Sequence, residues 1–159
     1  MRTMRSVAVA GTALAFALGL SGCGLTVPAD PDGTLESVTH GELRVGWSAD
    51  PGLISGGTSD EPTGSLPTLV EGFADDLDAD VEWTEASEET LVGMLERGDL
   101  DLVVGGMTDQ TLWVDRAGVT RGYPGIDGAD GRSIVLLVPL GENAFLGALE
   151  RHLDDEVGS

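Results

Sequence analysis

Between residues 43 and 104 the chain alternates short apolar runs with segments of helical pattern, and this alternation constrains the fold most. Residues 43–47, 81–83 and 100–104 form three β-like runs, and the apolar residues between them recur at helical spacing. Strands and helices in this order favour a parallel sheet joined by right-handed crossovers. The sequence therefore predicts an α/β domain with a mainly parallel sheet and helices on both faces.

Capping residues place the ends of the predicted helices. Ser65 precedes the first apolar helical face and is expected to be its N-cap. Ser87 has the same place before the second helix, and Gly98 follows that helix in the position of a C′ glycine. A fourth apolar run, at residues 134–138, precedes a last helix that closes the domain. The faces expected to be buried carry Leu66, Leu69, Val70, Phe73, Ala74 and Leu77 in the first helix and Phe145, Leu146, Leu149 and Leu153 in the last.

The N-terminal residues have the pattern of an export signal. Arg2 and Arg5 precede an apolar run over residues 7–20, which is too short to span a membrane comfortably. The run ends in Leu-Ser-Gly-Cys at residues 20–23, which resembles the lipobox of bacterial lipoproteins. In that family the cysteine is lipidated on sulfur, with acyl chains such as palmitate in the lipid anchor, and becomes the new N-terminus after cleavage. The resemblance implies a protein anchored by lipid at Cys23 on the extracytoplasmic face of the cell membrane.

The predicted signal peptide and the predicted α/β domain divide the chain into three parts. Residues 1–22 are the predicted lipoprotein signal peptide, residues 23–40 a flexible tether and residues 41–159 a single α/β lobe. The tether is predicted from its turn formers, among them Pro28, Pro31 and Gly33, and from the absence of a periodic apolar pattern. Cys23 is the only cysteine of the chain, so no intramolecular disulfide is expected.

The charge of the chain is strongly negative and excludes some partners. The formal net charge is −20, lysine is absent, and removal of Arg2 and Arg5 with the signal peptide brings the charge to about −22. Such a surface repels nucleic acid and anionic lipid head groups. Such a surface could attract cations or a basic partner, but a solvated acidic surface that aids solubility explains the charge without any partner and is the favoured interpretation.

No motif predicts a metal, a cofactor or catalysis. His40 and His152 are isolated and are expected at the surface or at a helix end. The acidic residues at positions 76, 78 and 80 imitate the start of a calcium loop, but Val81 and Ser87 stand where such a loop needs glycine and a bidentate glutamate. No phosphate-binding loop or catalytic histidine pairing is present in the sequence. We therefore expect no cofactor, no metal site and no enzymatic activity.

An ordered set of short motifs resembles the extracellular solute-binding proteins of ABC importers, of the polar-amino-acid type (family 3). The similarity covers about residues 42–123, and residues 134–153 resemble the C-terminal return segment of that family. The motifs are Leu-Arg-Val-Gly at residues 43–46, Pro-Thr-Gly at 62–64, the run from Gly98 to Thr108, and Val-Thr-Arg-Gly-Tyr at 119–123.

The resemblance implies one lobe of a two-lobed fold. Members of the family close two α/β lobes on a ligand, but here the return segment follows Tyr123 after only about ten residues. A second lobe needs on the order of a hundred residues. The expected structure is thus a single periplasmic-binding-protein-like lobe, and a single lobe encloses less of a small ligand than a closed pair.

The resemblance also places a solute at the carboxyl ends of the parallel strands. The residues there are Trp47, Ser48 and Asp50 after the first strand, and Gly105, Gly106, Thr108, Asp109 and Trp113 after the third. Thr108 matches the family's hydroxyl residue that helps to hold a ligand carboxylate, and the backbone N–H groups after Gly105 offer further donors.

Two positions depart from the family pattern. Trp113 stands where the family keeps an arginine that clamps the ligand carboxylate, and Thr68 stands where an acidic residue is common. Both departures count against a free α-amino acid as the ligand. Trp47 and Trp113, with Asp50 and Asp109 nearby, could instead face a cationic or aromatic solute. The alternative interpretation is that both tryptophans only cover apolar surface.

Two functional hypotheses follow. The first is a cell-surface lipoprotein that binds a small solute as the substrate-binding component of an ABC importer, with an ABC permease as its partner. The second is a one-lobed accessory or sensor lipoprotein that docks to a membrane or envelope protein without high-affinity solute binding.

Overall fold

A five-stranded sheet lies at the centre of the computed structural model, which describes residues 30–56 and 61–158. In chain order the strands are β1 (Glu42–Trp47), β2 (Ser55–Gly56), β3 (Pro62–Thr63), β4 (Asp80–Glu85), β5 (Leu102–Val104), β6 (Gly118–Val119) and β7 (Leu137–Val138). The helices are α1 (Thr34–Val38), α2 (Ser65–Asp76), α3 (Glu88–Glu96) and α4 (Asn143–Val157), and Trp113–Asp115 form a 3₁₀ turn.

The sheet is mostly parallel. Its strand order is β4-β1-β5-β7-β6, with β1 parallel to both β4 and β5. Strand β7 runs antiparallel to β5 and β6, so four strands point one way and β7 points the other. Strands β2 and β3 form a separate antiparallel pair. The predicted single α/β lobe with a mainly parallel sheet is confirmed.

Two apolar clusters show that helices cover both faces of the sheet. On one face Leu66 and Phe73 of α2 and Phe145 of α4 pack against alternate strand residues such as Leu102. On the other face the buried side chains of α3 pack against Val103 and its neighbours. The alternation of Leu102, Val103 and Val104 between the two clusters is what a strand buried on both faces requires.

The predicted helix ends are right for α3 and wrong for the start of α2. Ser87 caps α3 by accepting a hydrogen bond from the Thr90 N–H at 3.4 Å, and Gly98 follows with φ 74°. The N-cap of α2 is Gly64, not Ser65. At Gly64 φ is 136°, and an added Cβ would lie 2.2 Å from the carbonyl oxygen of Leu53, so only glycine fits there.

Residues 30–40 belong to the folded domain, so the prediction of a tether over residues 23–40 is wrong for that part. Helix α1 places Val38 in the core, where it is 1% exposed. The Asp30 carboxylate accepts hydrogen bonds from the N–H groups of Leu35 (2.7 Å) and Phe145 (3.4 Å), which ties the segment to α4. The predicted signal peptide, Cys23 and residues 23–29 lie outside the described residues.

Glu142 fixes the same segment from the other side. This buried carboxylate accepts hydrogen bonds from the N–H groups of Asp32 and Thr34, both at 2.9 Å. Burial raises the pKa of Glu142, but these N–H donors outweigh burial and hold the pKa below its ordinary value. A carboxylate more than a hundred residues away thus anchors the start of the domain.

His152 is a core contact, which corrects the expectation of a surface or helix-end histidine. It is 8% exposed, and its Nδ1 lies 2.7 Å from Asp76 Oδ2 while Nε2 lies 3.0 Å from the Leu69 carbonyl oxygen. The side chain therefore joins α4 to α2. Within residues 30–56 and 61–158, no group of three or more acidic, histidine or cysteine side chains is arranged to hold a metal ion.

Over the same ranges, none of the helices combines the length and the apolar character that crossing a bilayer demands.

Candidate functional site

The predicted site lies where β1 and β5 end side by side. The two strands are in parallel register, with Trp47 opposite Val104, and the Ser48 N–H donates to the Val104 carbonyl oxygen at 3.1 Å. Ser48 and Gly105 therefore leave the sheet together. A Cβ at Gly105 would lie 2.3 Å from Ser48 Oγ, so the close approach of the two loops depends on this glycine.

Asp50 and Gly106, which follow Ser48 and Gly105 in the two loops, also lie in close contact. A Cβ at Gly106 would lie 1.7 Å from Asp50 Oδ2, so a side chain there would expel the carboxylate. Asp50 is held in place by reciprocal backbone hydrogen bonds with Ile54, each at 2.9 Å. The structure thus brings together four residues predicted from the sequence: Ser48, Asp50, Gly105 and Gly106.

Arg132 completes this group, and sequence reasoning missed it. Its guanidinium binds the Asp50 carboxylate with both terminal nitrogens, at 2.8 and 3.0 Å, and its Nε donates to the Ala129 carbonyl oxygen at 3.1 Å. The hydrogen bonds to Asp50 raise the pKa of Arg132. Arg132 lies 82 residues from Asp50, so no local spacing connects them. The only signal was an arginine in the short loop before the return segment.

The loop after β5 forms a second part of the site. Thr108 pairs with Ile134 in an isolated antiparallel bridge, and the N–H of Asp109 donates to the Ser133 carbonyl oxygen at 3.0 Å. Asp109 itself is exposed. Because Gly106 belongs to this loop and also touches Asp50, the second part adjoins the first.

A hollow of about 300 Å³ separates this loop from the start of α3. Gly106, Thr108 and Trp113 line it on one side and Glu88 on the other. The Trp113 indole N–H donates to Glu88 at 3.4 Å, and the Arg116 guanidinium carbon lies 5.4 Å from the centre of the Trp113 ring. Trp113 is half-buried and borders the hollow. The Arg116 guanidinium already makes a cation–π contact with its ring.

Trp47 does not line the site. It is 2% exposed and belongs to the core beneath α2 and α4. The prediction that it faces a solute is wrong, because the last residue of β1 points to the buried face of the sheet.

A larger hollow, of about 640 Å³, lies at the opposite edge of the sheet, where the parallel strands begin. The three arginines that line it are each paired with an acidic residue of this chain, Arg44 with Asp101, Arg97 with Asp99 and Arg116 with Glu96. Asp101 also accepts the backbone N–H of Arg44 at 2.9 Å. The volume of a hollow therefore does not identify the binding site. The residues predicted from the sequence lie at the carboxyl ends of the parallel strands instead.

The fold defines a periplasmic-binding-protein-like lobe. The arginine-bound form of domain 1 from TmArgBP superposes with a TM-score of 0.65 at 20% identity, over 76% of this chain and 97% of that one. An ancestral arginine-binding protein bound to arginine gives 0.62 at 13% identity, over 74% and 92%. The arginine-bound form of truncated ArgBP from T. maritima gives 0.50 at 22% identity, over 55% of this chain and 42% of that one.

The match to an isolated domain 1 is nearly complete, whereas less than half of truncated ArgBP is covered, so the chain corresponds to one lobe. At these identities the likeness shows the fold. No family model and no curated protein matches the sequence.

Proposed function

We propose that this chain is a single-lobed solute-binding protein that captures a small polar solute at the carboxyl edge of its parallel strands. The observation that carries the proposal is the convergence of Asp50, Gly106 and the loop through Thr108 at that edge. Two structural neighbours, domain 1 of TmArgBP and the ancestral arginine-binding protein, are themselves bound to arginine.

The chemistry of the edge favours a solute that carries a cationic group. Asp50 offers a carboxylate, and Trp113 offers an aromatic ring beside Glu88. Thr108 and the N–H groups after Gly105 offer donors for a second, anionic or carbonyl group. The acidic charge of the whole chain adds a long-range attraction for cations.

The proposal includes lipid anchoring through Cys23 on the extracytoplasmic face of the membrane, with an ABC permease as the membrane partner. Asp30, where the described chain begins, is bonded to the start of α4 at the amino edge of the parallel strands. An anchor that precedes residue 30 therefore joins the domain at the edge opposite Asp50. Residues 23–29 span at most roughly 25 Å, so such an anchor would hold the domain close to the bilayer.

Calorimetric titration of the full chain in detergent tests this function. L-Arginine and n-butylguanidine are expected to bind through the guanidinium group that they share, since Trp113 offers no clamp for an α-carboxylate. L-Glutamate is expected to bind at millimolar concentration or more weakly, because the acidic chain repels its carboxylates. Thr108→Val should weaken L-arginine binding several-fold, since a hydroxyl hydrogen bond contributes about 0.5–1.5 kcal/mol. Thr39→Val is the matched control, because it removes a hydroxyl hydrogen bond at the opposite edge and should leave the affinity unchanged.

A docking module is the second candidate, and one observation favours it. Leu112, which lines the hollow, and Val114, on the other side of Trp113 in the sequence, are 88% and 56% exposed. Exposed apolar side chains of this kind are typical of contact surfaces. If none of the three solutes binds the wild-type chain or any variant, solute capture is wrong and docking to a membrane or envelope protein is favoured.

A further inference from the structure

We propose that Asp50 is the anchor of a guanidinium-binding site, and that the side chain of Arg132 occupies this site as an internal substitute for the solute. A cationic solute would then bind by displacing Arg132 from Asp50. This inference rests on the proposed function and names its solute class, a guanidinium-bearing molecule.

The geometry of the pair is that of guanidinium recognition. The planar guanidinium presents two parallel N–H groups that match the two oxygens of a carboxylate. Asp50 accepts both, at 2.8 and 3.0 Å, and its own backbone is fixed by Ile54. Gly106 leaves the space that the carboxylate needs. Asp50 is therefore already shaped and oriented for a guanidinium, whichever molecule supplies it.

The pair is accessible enough to exchange. The Arg132 and Asp50 side chains are 36% and 21% exposed, and among the described residues only Arg132 is bonded to the Asp50 carboxylate. The pair of Arg44 and Asp101 is a contrast, because Asp101 is 5% exposed and also accepts a backbone N–H. A pair at the surface gains little net stability, so a competing solute can replace one partner.

Displacement of Arg132 does not require its loop to unfold. Ile126 and Ala129 anchor the loop in the core, each at most 2% exposed, and Ser65 Oγ donates to the Asp127 carbonyl oxygen at 2.6 Å. The backbone N–H of Arg132 donates to Ala129 at 2.9 Å. Among residues 30–56 and 61–158, rotation of the Arg132 side chain alone is therefore enough to uncover Asp50.

The internal arginine lowers the apparent affinity for a free guanidinium. A tethered group competes at an effective concentration that is millimolar or higher. A solute that binds only the uncovered fraction of the protein shows an affinity reduced by that fraction. Removal of the Arg132 guanidinium should consequently tighten the binding of n-butylguanidine by about tenfold.

Calorimetric titration of the full chain with n-butylguanidine tests the inference. Arg132→Gln should bind about tenfold more tightly than wild type, whereas Arg132→Lys, which keeps the positive charge, should gain less. Asp50→Asn should lose binding in both the wild-type and the Arg132→Gln background. Arg97→Gln is the matched control, because Arg97 is also paired with a carboxylate, that of Asp99, but at the opposite edge, and it should bind like wild type.

Thermal unfolding of each variant shows whether it is folded, and titration of Asp50→Asn alone tests the site in a chain that retains Arg132. The inference is overturned if n-butylguanidine binds wild type and Arg132→Gln equally, or if Asp50→Asn binds as tightly as wild type. Those results would still agree with solute capture, but the solute would then bind at other residues of the carboxyl edge. Absence of binding by L-arginine and n-butylguanidine in wild type and Arg132→Gln alike would instead refute the proposed function.

Discussion

Replacement of Phe73 by alanine is expected to lower the free energy of unfolding by about 3–5 kcal/mol. Phe73 is 1% exposed and lies between α2, α4 and the sheet. Its ring centre lies 5.6 Å from that of Phe145, in an edge-on arrangement, and 5.6 Å from that of His152. Truncation therefore leaves a cavity at the contact of the two helices, and urea unfolding followed by tryptophan fluorescence measures its cost.

Glu71→Ala is the control for this measurement. Glu71 lies on the same helix but is exposed, so its replacement should change stability by about 0.5 kcal/mol or less. A loss below about 1 kcal/mol for Phe73→Ala would contradict the packing of α2 and α4 described above.

Cys23→Ala is expected to abolish membrane association, the second large effect. Without the acceptor sulfur the protein should enter the soluble or secreted fraction, or remain with its leader uncleaved. Fractionation of cells and mass spectrometry of the N-terminus measure both outcomes. Thr26→Ala, three residues beyond the cysteine, is the control and should remain acylated. A wild-type chain without acyl mass, or one already in the soluble fraction, would show that the proposed anchoring is wrong.

The local features of the fold could be predicted from the sequence because they depend on neighbouring residues. The alternation of strands and helices, the Ser87 cap and the glycine at position 98 each follow from spacing within a few residues. The start of α2 was misplaced by one residue, because the constraint on Gly64 comes from the Leu53 carbonyl oxygen rather than from the helix itself.

The long-range contacts could not be predicted in this way. Glu142 reaches Asp32, and His152 reaches Asp76, over separations of 110 and 76 residues. Each of these side chains looks unremarkable in its own segment. Only the assembled fold shows that Glu142 fixes the first residues of the domain and that His152 joins two helices.

The residues of the candidate site could be predicted only in part. Family resemblance indicated the ends of β1 and β5, and the structure brings Ser48, Asp50, Gly105 and Gly106 together there. The sequence left two places open for Trp47, since a tryptophan at the end of a strand satisfies either a core or a binding surface, and the structure places it in the core. Position 113 holds no arginine, but Arg132 reaches Asp50 from a loop 82 residues away, a contact that local spacing does not reveal.

The most direct test of the central claim is a nuclear magnetic resonance titration of the isotope-labelled full chain with L-arginine. Binding at the carboxyl edge should shift the amide signals of Ser48, Asp50 and Gly106 in a saturable manner. The signals of Arg44 and Gly98, beside the larger hollow at the opposite edge, should stay in place. Saturable shifts confined to Arg44, Gly98 and their neighbours, or no shifts at all, would contradict solute capture at the carboxyl edge.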